Sequence, residues 1–219
     1  NRLNAVDLFC GAGGFTLGLQ QAGFNVIAAV DNWSPALETY KANFQHASLK
    51  GDISQLSSTE LNALMDGREL DLLVGGPPCQ GFSIQRIGGD VDDRNDLVLT
   101  FAHLVIALQP RAFLMENVPG LLGTRGKRLF EKFIRVLSAG NYSLTHSVLN
   151  AADYGVPQSR RRVFVLGTRS DVFDAFELPA ATHAEKNWRS VRSAIGDLPE
   201  PWSSGDIGND PLHRRIKVS

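Results

Sequence analysis

One alternation restricts this chain more than any other feature: short apolar runs recur along it, each followed by an amphipathic stretch. Residues 3–9, 26–30, 48–53, 70–74 and 112–116 read as strands, the first of them buried and the third short. Residues 15–22, 35–44, 58–65, 97–108 and 127–139 read as helices. Pro35 suits the first turn of the second helix, and Ser58 or Thr59 suits the cap of the third. Strand–helix alternation of this kind predicts an α/β, doubly wound, mostly parallel sheet. Residues 143–150 and 162–168 are two further strands, expected as an antiparallel edge.

The chain has 219 residues, 43% hydrophobic and 21% charged, which suits one α/β domain of ordinary size. After Thr168 prolines and glycines punctuate the pattern, and only residues 191–195 read as a short helix. No internal repeat is visible. No apolar run approaches the ~20 residues of a membrane span, and no secretory signal opens the chain. Its true start is expected upstream of Asn1. Two cysteines, Cys10 and Cys79, make neither a disulfide framework nor a metal site, so a reducing, intracellular (bacterial-type cytoplasmic) setting is expected and no metal. The net charge of −1 lends no support to nucleic-acid binding, so any such argument rests on local features.

Ligands of doubly wound sheets bind beyond the carboxyl ends of the strands. Three features stand there. Asp7-Leu8-Phe9-Cys10-Gly11-Ala12-Gly13-Gly14 is a strand, glycine loop and helix start. Asp31 ends the second strand, where a carboxylate can accept from ribose hydroxyls, and Asp52 ends the third, where it can accept from an exocyclic amine. Each alone is also an ordinary turn or cap. Together they favour an adenosyl-type cofactor without separating a dinucleotide from S-adenosylmethionine. No P-loop lysine follows the glycines.

The fourth strand runs into Gly75-Gly76-Pro77-Pro78-Cys79-Gln80-Gly81-Phe82-Ser83. Two prolines stiffen the backbone before Cys79, so a thiol there is held at a set position. Cys10, beside an apolar strand, reads instead as a small buried hydrophobe. Glu116 ends the fifth strand and can deliver a proton. Gln158-Ser159-Arg160-Arg161-Arg162 precedes the last strand. Arg162 is nearest that strand and can pair with Glu116 or bind a carbonyl or phosphate.

These motifs resemble the cytosine-C5 DNA methyltransferases. The glycine loop, the Pro-Pro-Cys-Gln-Gly-Phe-Ser block, Met115-Glu116-Asn117-Val118 and Tyr154-Gly155-Val156-Pro157-Gln158-Ser159-Arg160-Arg161-Arg162 run in the family's order over about residues 3–168. The resemblance implies a Rossmann-like fold and methyl transfer from S-adenosylmethionine to C5 of a flipped cytosine in double-stranded DNA, as in restriction–modification. It implies addition of Cys79 to C6. Glu116 would hold or protonate N3, and Arg162, with Arg160, would support the base carbonyl. Phe9 would lie against adenine, Asp31 on the ribose, and Asp52 with Ile53 at the adenine edge. Gly11, Ala12, Gly13, Gly14, Asn32, Trp33, Pro78 and Leu97 complete the cofactor set. The polar stretch 84–96 matches the family's mobile loop. One departure is Asn32, which separates Asp31 from Trp33.

A second departure lies at the C-terminal end. The family continues into a DNA-recognition domain and closing segments, and neither is found. Residues 1–168 are therefore expected to be the catalytic and cofactor-binding domain. Residues 169–219, with His213, Arg214, Arg215 and Lys217, approach a recognition domain supplied elsewhere in a longer protein or by a second chain. Three alternatives are a tRNA cytosine methyltransferase, a non-catalytic binding subunit and a dinucleotide oxidoreductase. The Gln-Gly-Phe-Ser ending, the intact Cys79, Glu116 and Arg162, and the absent G-x-G-x-x-G weigh against them in turn.

Overall fold

A computed structural model describes residues 2–78, 96–172 and 176–198. Cys79, nearly all of the 84–96 loop and the basic cluster at residues 213–217 lie outside the described residues. The chain forms two units, residues 1–150 with 161–180, and residues 151–160 with 181–219.

The first unit holds a seven-stranded sheet. In chain order its elements are β1 (Asn4–Leu8), α1 (Gly14–Gln21), β2 (Asn25–Asp31), α2 (Ser34–Asn43), β3 (Ala47–Lys50), α3 (Ser58–Met65), β4 (Leu72–Gly75), α4 (Asp96–Leu108), β5 (Ala112–Asn117), α5 (Lys127–Ala139), β6 (Tyr142–Asn150) and β7 (Arg161–Arg169). The strand order is β3-β2-β1-β4-β5-β7-β6. Strands β1 to β5 pair in parallel, and β7 runs antiparallel between β5 and β6. The order reverses between β1 and β4, which opens the ligand crevice of such sheets. Leu8 pairs with Val30 and Gly75, and Gly75 with Met115. The residues one step further on, Phe9, Asp31, Gly76 and Glu116, therefore share one edge.

The strands hold because both faces are covered. Val6, Leu8, Ile27, Leu73, Phe101, Val105, Phe113, Met115, Phe133 and Leu137 form one fully buried cluster. Packing there is close enough to demand glycine in two strands. A Cβ on Gly75 would meet the Phe101 ring at 2.7 Å, and one on Gly167 the Phe113 ring at 2.0 Å. The opposite edge is tied by Asp71, which accepts from the Asn4 N–H at 2.7 Å and pairs with Arg111 at 3.1 Å.

Two local expectations need correction. The cap of α3 is Ser57, not Ser58 or Thr59. Its hydroxyl accepts from the Glu60 N–H while Glu60 accepts from the Ser57 N–H, and only a residue three before the glutamate closes this capping box. Strand β3 ends at Lys50, so Asp52 lies in the turn beyond it.

In the second unit, Asp153 organises the chain. Its carbonyl accepts from the Thr182 and His183 N–H groups, both at 2.9 Å, and its carboxylate from the Trp188 indole N–H at 2.9 Å. A short helix, α6 (Val191–Ile195), starts at Ser190, whose hydroxyl accepts from the Ser193 N–H. No helix among the described residues is long and apolar enough to cross a membrane.

Gly167→Ala should therefore destabilise the chain by about 1–3 kcal/mol through overpacking against Phe113. Urea denaturation checks this, and an unchanged midpoint would show that the Phe113 ring yields freely.

Candidate active site at the carboxyl edge of the sheet

The loop after β1 is shaped by unusual backbone. Phe9 has φ 60°, Gly11 53° and Gly13 99°. A bulky side chain such as Phe9 rarely takes that region, so the surroundings must hold it there. Gly13 precedes α1 and lies so close to the Phe44 ring that a Cβ would stand 2.2 Å from it. A Cβ on Gly11 or Gly14 would meet no atom within 4 Å, so space is open where a ligand can approach the backbone. Cys10 is buried, its amide donates to the Val30 carbonyl, and burial pushes its thiol pKa up, all of which suit a packing residue.

Asp31 binds two loops together. Its Oδ2 accepts from the Gly11 N–H at 2.8 Å and its Oδ1 from the Trp33 N–H at 2.8 Å. Each oxygen keeps a further lone pair for a ligand. Trp33 is 64% exposed beside it, and Asn32 is exposed too. Asp52 uses its Oδ1 to accept from the Ser54 N–H and hydroxyl at 2.9 and 2.7 Å, so in this structure it shapes its own turn. Ile53 points into the core, 3% exposed. Leu97 sits half-buried in the first turn of α4, and Pro78 is half-buried just after Pro77.

Sequence reasoning missed Asp7. It is fully buried, and its Oδ2 accepts from the Thr16 N–H at 3.1 Å and the Thr16 hydroxyl at 2.8 Å. This clamp joins the end of β1 to α1 across the glycine loop. Beyond Thr16 the contacts continue to the Tyr40 hydroxyl at 2.8 Å and on to His46 Nε2. Burial raises the Asp7 carboxyl to about 7, against the opposing pull of the Thr16 hydrogen bonds. A signal was present in the sequence: a carboxylate inside an apolar strand needs a partner, and a threonine follows in the first turn of the next helix.

On the other side of the switch point stands an acid–base pair. Glu116 Oε1 lies 2.8 Å from Arg162 Nε, with both side chains about a quarter exposed at 23% and 24%. Register explains the meeting: Glu116 pairs with Phe164 across the antiparallel β5–β7 ladder, and Arg162 is two residues further along the same face. Of the partners open to Arg162, this structure shows the carboxylate. Glu116 Oε2 lies 3.4 Å from the position of a Cβ on Gly76, so it faces the segment leading to Cys79. Asn117, 2% exposed, turns to the opposite face, where its Nδ2 donates to the Pro77 carbonyl at 3.0 Å and its Oδ1 accepts from the Val118 N–H at 2.8 Å. Asn117 thus fixes the prolines that precede Cys79, a role its position in the motif did not disclose. Arg160 is exposed in the second unit.

A mostly parallel sheet with one reversed strand, glycine loop at β1 and acid at β2, is the fold class of the S-adenosylmethionine-dependent methyltransferases. The family model for C-5 cytosine-specific DNA methylases matches residues 3–214, and the chain belongs to that family. It is 37% identical over 98% of its length to the type II methyltransferase M.DdeI of Desulfomicrobium norvegicum, of which it covers 53%. It is 36% identical over 89% of its length to the type II methyltransferase M.AquIA of Picosynechococcus, of which it covers 88%. Among solved structures, a protein described as a DNA modification methyltransferase encoded within an E. coli prophage superposes with a TM-score of 0.79 at 33% identity, over 93% of this chain and 58% of the other. The chain spans about half the length of most of the curated relatives it matches most strongly.

The Asp7 carboxyl yields a pH prediction. Its proton is held more tightly in the folded chain, so its contribution to stability falls as pH rises from its ordinary 3.8 to about 7. Between pH 5 and 8 the wild type should lose about 3 kcal/mol relative to Asp7→Asn. Parallel pH profiles in urea denaturation would refute this.

Proposed function

We propose that this chain carries the catalytic part of a DNA cytosine-5 methyltransferase, transferring a methyl group from S-adenosylmethionine to C5 of a flipped cytosine through a covalent Cys79 adduct. The observation that carries the reading is the Glu116–Arg162 pair at 2.8 Å, on the sheet edge where Asn117 holds Pro77 just before Cys79. Residues 1–168 carry the chemistry in this reading, and residues 169–219 lead toward the recognition part.

Cytosine C5 is a weak nucleophile. Addition of the Cys79 thiolate to C6 turns C5 into an enamine-like carbon. Charge then accumulates on N3 and O2. Once C5 carries the methyl group, a base takes the C5 proton and the Cys79–C6 bond breaks, which restores the aromatic ring and the free thiolate. Glu116 pairs with Arg162 through Oε1 and faces Gly76 with Oε2, and when its carboxyl carries a proton it holds or protonates N3. Arg162, assisted by Arg160, supports the carbonyl O2. S-adenosylmethionine supplies, when bound, the electrophilic methyl group. The residues at the other half of the edge fit such a ligand: open space over Gly11 and Gly14, spare lone pairs on Asp31, and an exposed Trp33. Phe9, Ala12, Gly13, Asn32, Asp52, Ile53, Pro78 and Leu97 complete that cofactor site. With its side chain in the core, Ile53 contributes through its backbone.

Double-stranded DNA is the substrate in this reading, and the target base leaves the helix to be reached. A further segment or second polypeptide supplies recognition. A reducing, intracellular setting belongs to the same reading, because the chemistry needs a free thiol.

The test is a duplex containing 5-fluorocytosine, incubated with S-adenosylmethionine and the chain, alone and with candidate recognition partners. A covalent adduct is expected that Cys79→Ser abolishes. Glu116→Gln and Arg162→Ala should each slow its formation by about 10²-fold or more. No adduct under any condition, or one that survives Cys79→Ser, overturns the reading.

A further inference from the structure

The buried Asp7 takes no part in that chemistry, yet it sits under the loop that would hold the cofactor. Its Oδ1 has no hydrogen-bond partner among the described residues, and the side chain has no exposed surface. A polar route outward among the described residues is the series Thr16, Tyr40, His46. His46 is half-buried and lines an open cleft of about 410 Å³ together with Arg2, Gln20, Asn25 and Gln45.

We infer that Thr16, Tyr40 and His46 form a directed hydrogen-bond chain through which the buried Asp7 exchanges its proton with solvent, and that they act as positioning residues for the glycine loop.

Counting hydrogens sets the direction. An ionised carboxylate only accepts, so the single hydroxyl hydrogen of Thr16 is committed to Asp7. The contact between Thr16 and Tyr40 then needs the Tyr40 hydrogen. With that hydrogen used, Tyr40 can only accept from His46, which must carry its proton on Nε2. Ionised Asp7 thus selects one His46 tautomer across three hydrogen bonds. Protonated Asp7 permits the reverse: Asp7 donates to Thr16, Thr16 to Tyr40, and Tyr40 to a His46 that carries its hydrogen on Nδ1. The proton balance closes. His46 takes up one proton at Nδ1 from solvent, passes its Nε2 hydrogen to Tyr40, Tyr40 passes its own to Thr16, and Thr16 passes its own to Asp7. The net change is one proton on Asp7 and a change of tautomer at His46. Burial lowers the His46 pKa, which favours a neutral ring at both ends of this exchange.

The remaining titratable groups are few. Cys10, Asp31 and Tyr40 surround Asp7, and burial keeps Cys10 and Tyr40 protonated. Arg2 shares the cleft with His46. The link to the loop is direct, because the Asp7–Thr16 clamp closes residues 8–15. That this matters for a cofactor rests on the function proposed above; the hydrogen-bond chain does not.

Nuclear magnetic resonance on the 219-residue chain tests it. His46 ring nitrogen shifts and the Asp7 carboxyl carbon shift are followed from about pH 5 to 9. One shared midpoint is expected, with His46 passing from the Nδ1–H to the Nε2–H tautomer. The Gly11 and Gly13 amides should follow the same curve. Tyr40→Phe keeps the ring but cuts the chain. It should abolish the tautomer change and shift the Asp7 midpoint by about one pH unit. His46→Gln, altered outside the core, should also shift that midpoint if Tyr40→Phe fails to fold. A single His46 tautomer throughout the Asp7 titration, or an unmoved midpoint in the folded variants, overturns the inference. S-adenosylhomocysteine titrations separate the two claims. Affinity that follows the Asp7 midpoint in the wild type, and loses that dependence in Tyr40→Phe, supports the positioning role. Affinity with the same pH dependence in both proteins overturns that role. A wild type that binds none counts against the proposed function, while the resonance data still decide the hydrogen-bond chain.

Discussion

Parallel pairing of β2, β1, β4 and β5 is the constraint on which the rest depends. It brings four strand ends level, so that whatever follows each strand stands on one edge. Parallel pairing needs crossovers, the crossovers are helices, and the helices bury both faces of the sheet. The same burial accounts for the glycines at 75 and 167, where phenylalanine rings from α4 and β5 press against the strands. Chemistry at the edge is thus set on a scaffold with little room to move.

On that edge the two halves are held by different means. The glycine loop is fixed by hydrogen bonds from its backbone to two carboxylates. Asp31 takes the Gly11 amide and Asp7 takes Thr16 just beyond the loop. Within the loop Phe9 stands in the left-handed region. The other half is fixed by side chains. Arg162 holds Glu116, and Asn117 holds Pro77. The Glu116–Arg162 pair, three-quarters shielded from water, is less screened than a surface pair such as Lys127–Glu131, whose side chains are 71% and 55% exposed. Reversal of β7 is what makes the first of these contacts, since only an antiparallel neighbour of β5 brings the start of that late strand level with the end of β5.

How much could be read in advance varied with the range of the interaction. Strand and helix types followed from local apolar periodicity, and α5 at Lys127–Ala139 coincides with its expected bounds. Ends were less legible. Ser57, Ser58 and Thr59 are all good caps, and the spacing to Glu60 chooses among them only once the box closes in space. Asp52 sat at an apparent strand end that the sheet does not extend to. For Arg162 the sequence left several partners open, and register reduced them. Asp7 was hidden because an aspartate before a glycine loop reads as part of the motif, and nothing local reveals that Tyr40 and His46 extend its hydrogen bonds.

By itself the sequence determined the class of fold and the order of the motifs, because hydrophobic periodicity and short motifs are encoded within a few residues. It also singled out Cys79, preceded by two prolines, over Cys10 as the candidate nucleophile. Only the tertiary structure decided which groups meet: Glu116 with Arg162, Asn117 with Pro77, and Asp7 with Thr16 and, through it, Tyr40 and His46. Those meetings depend on strand register and on the reversal of β7, and both are settled by burial across the whole sheet.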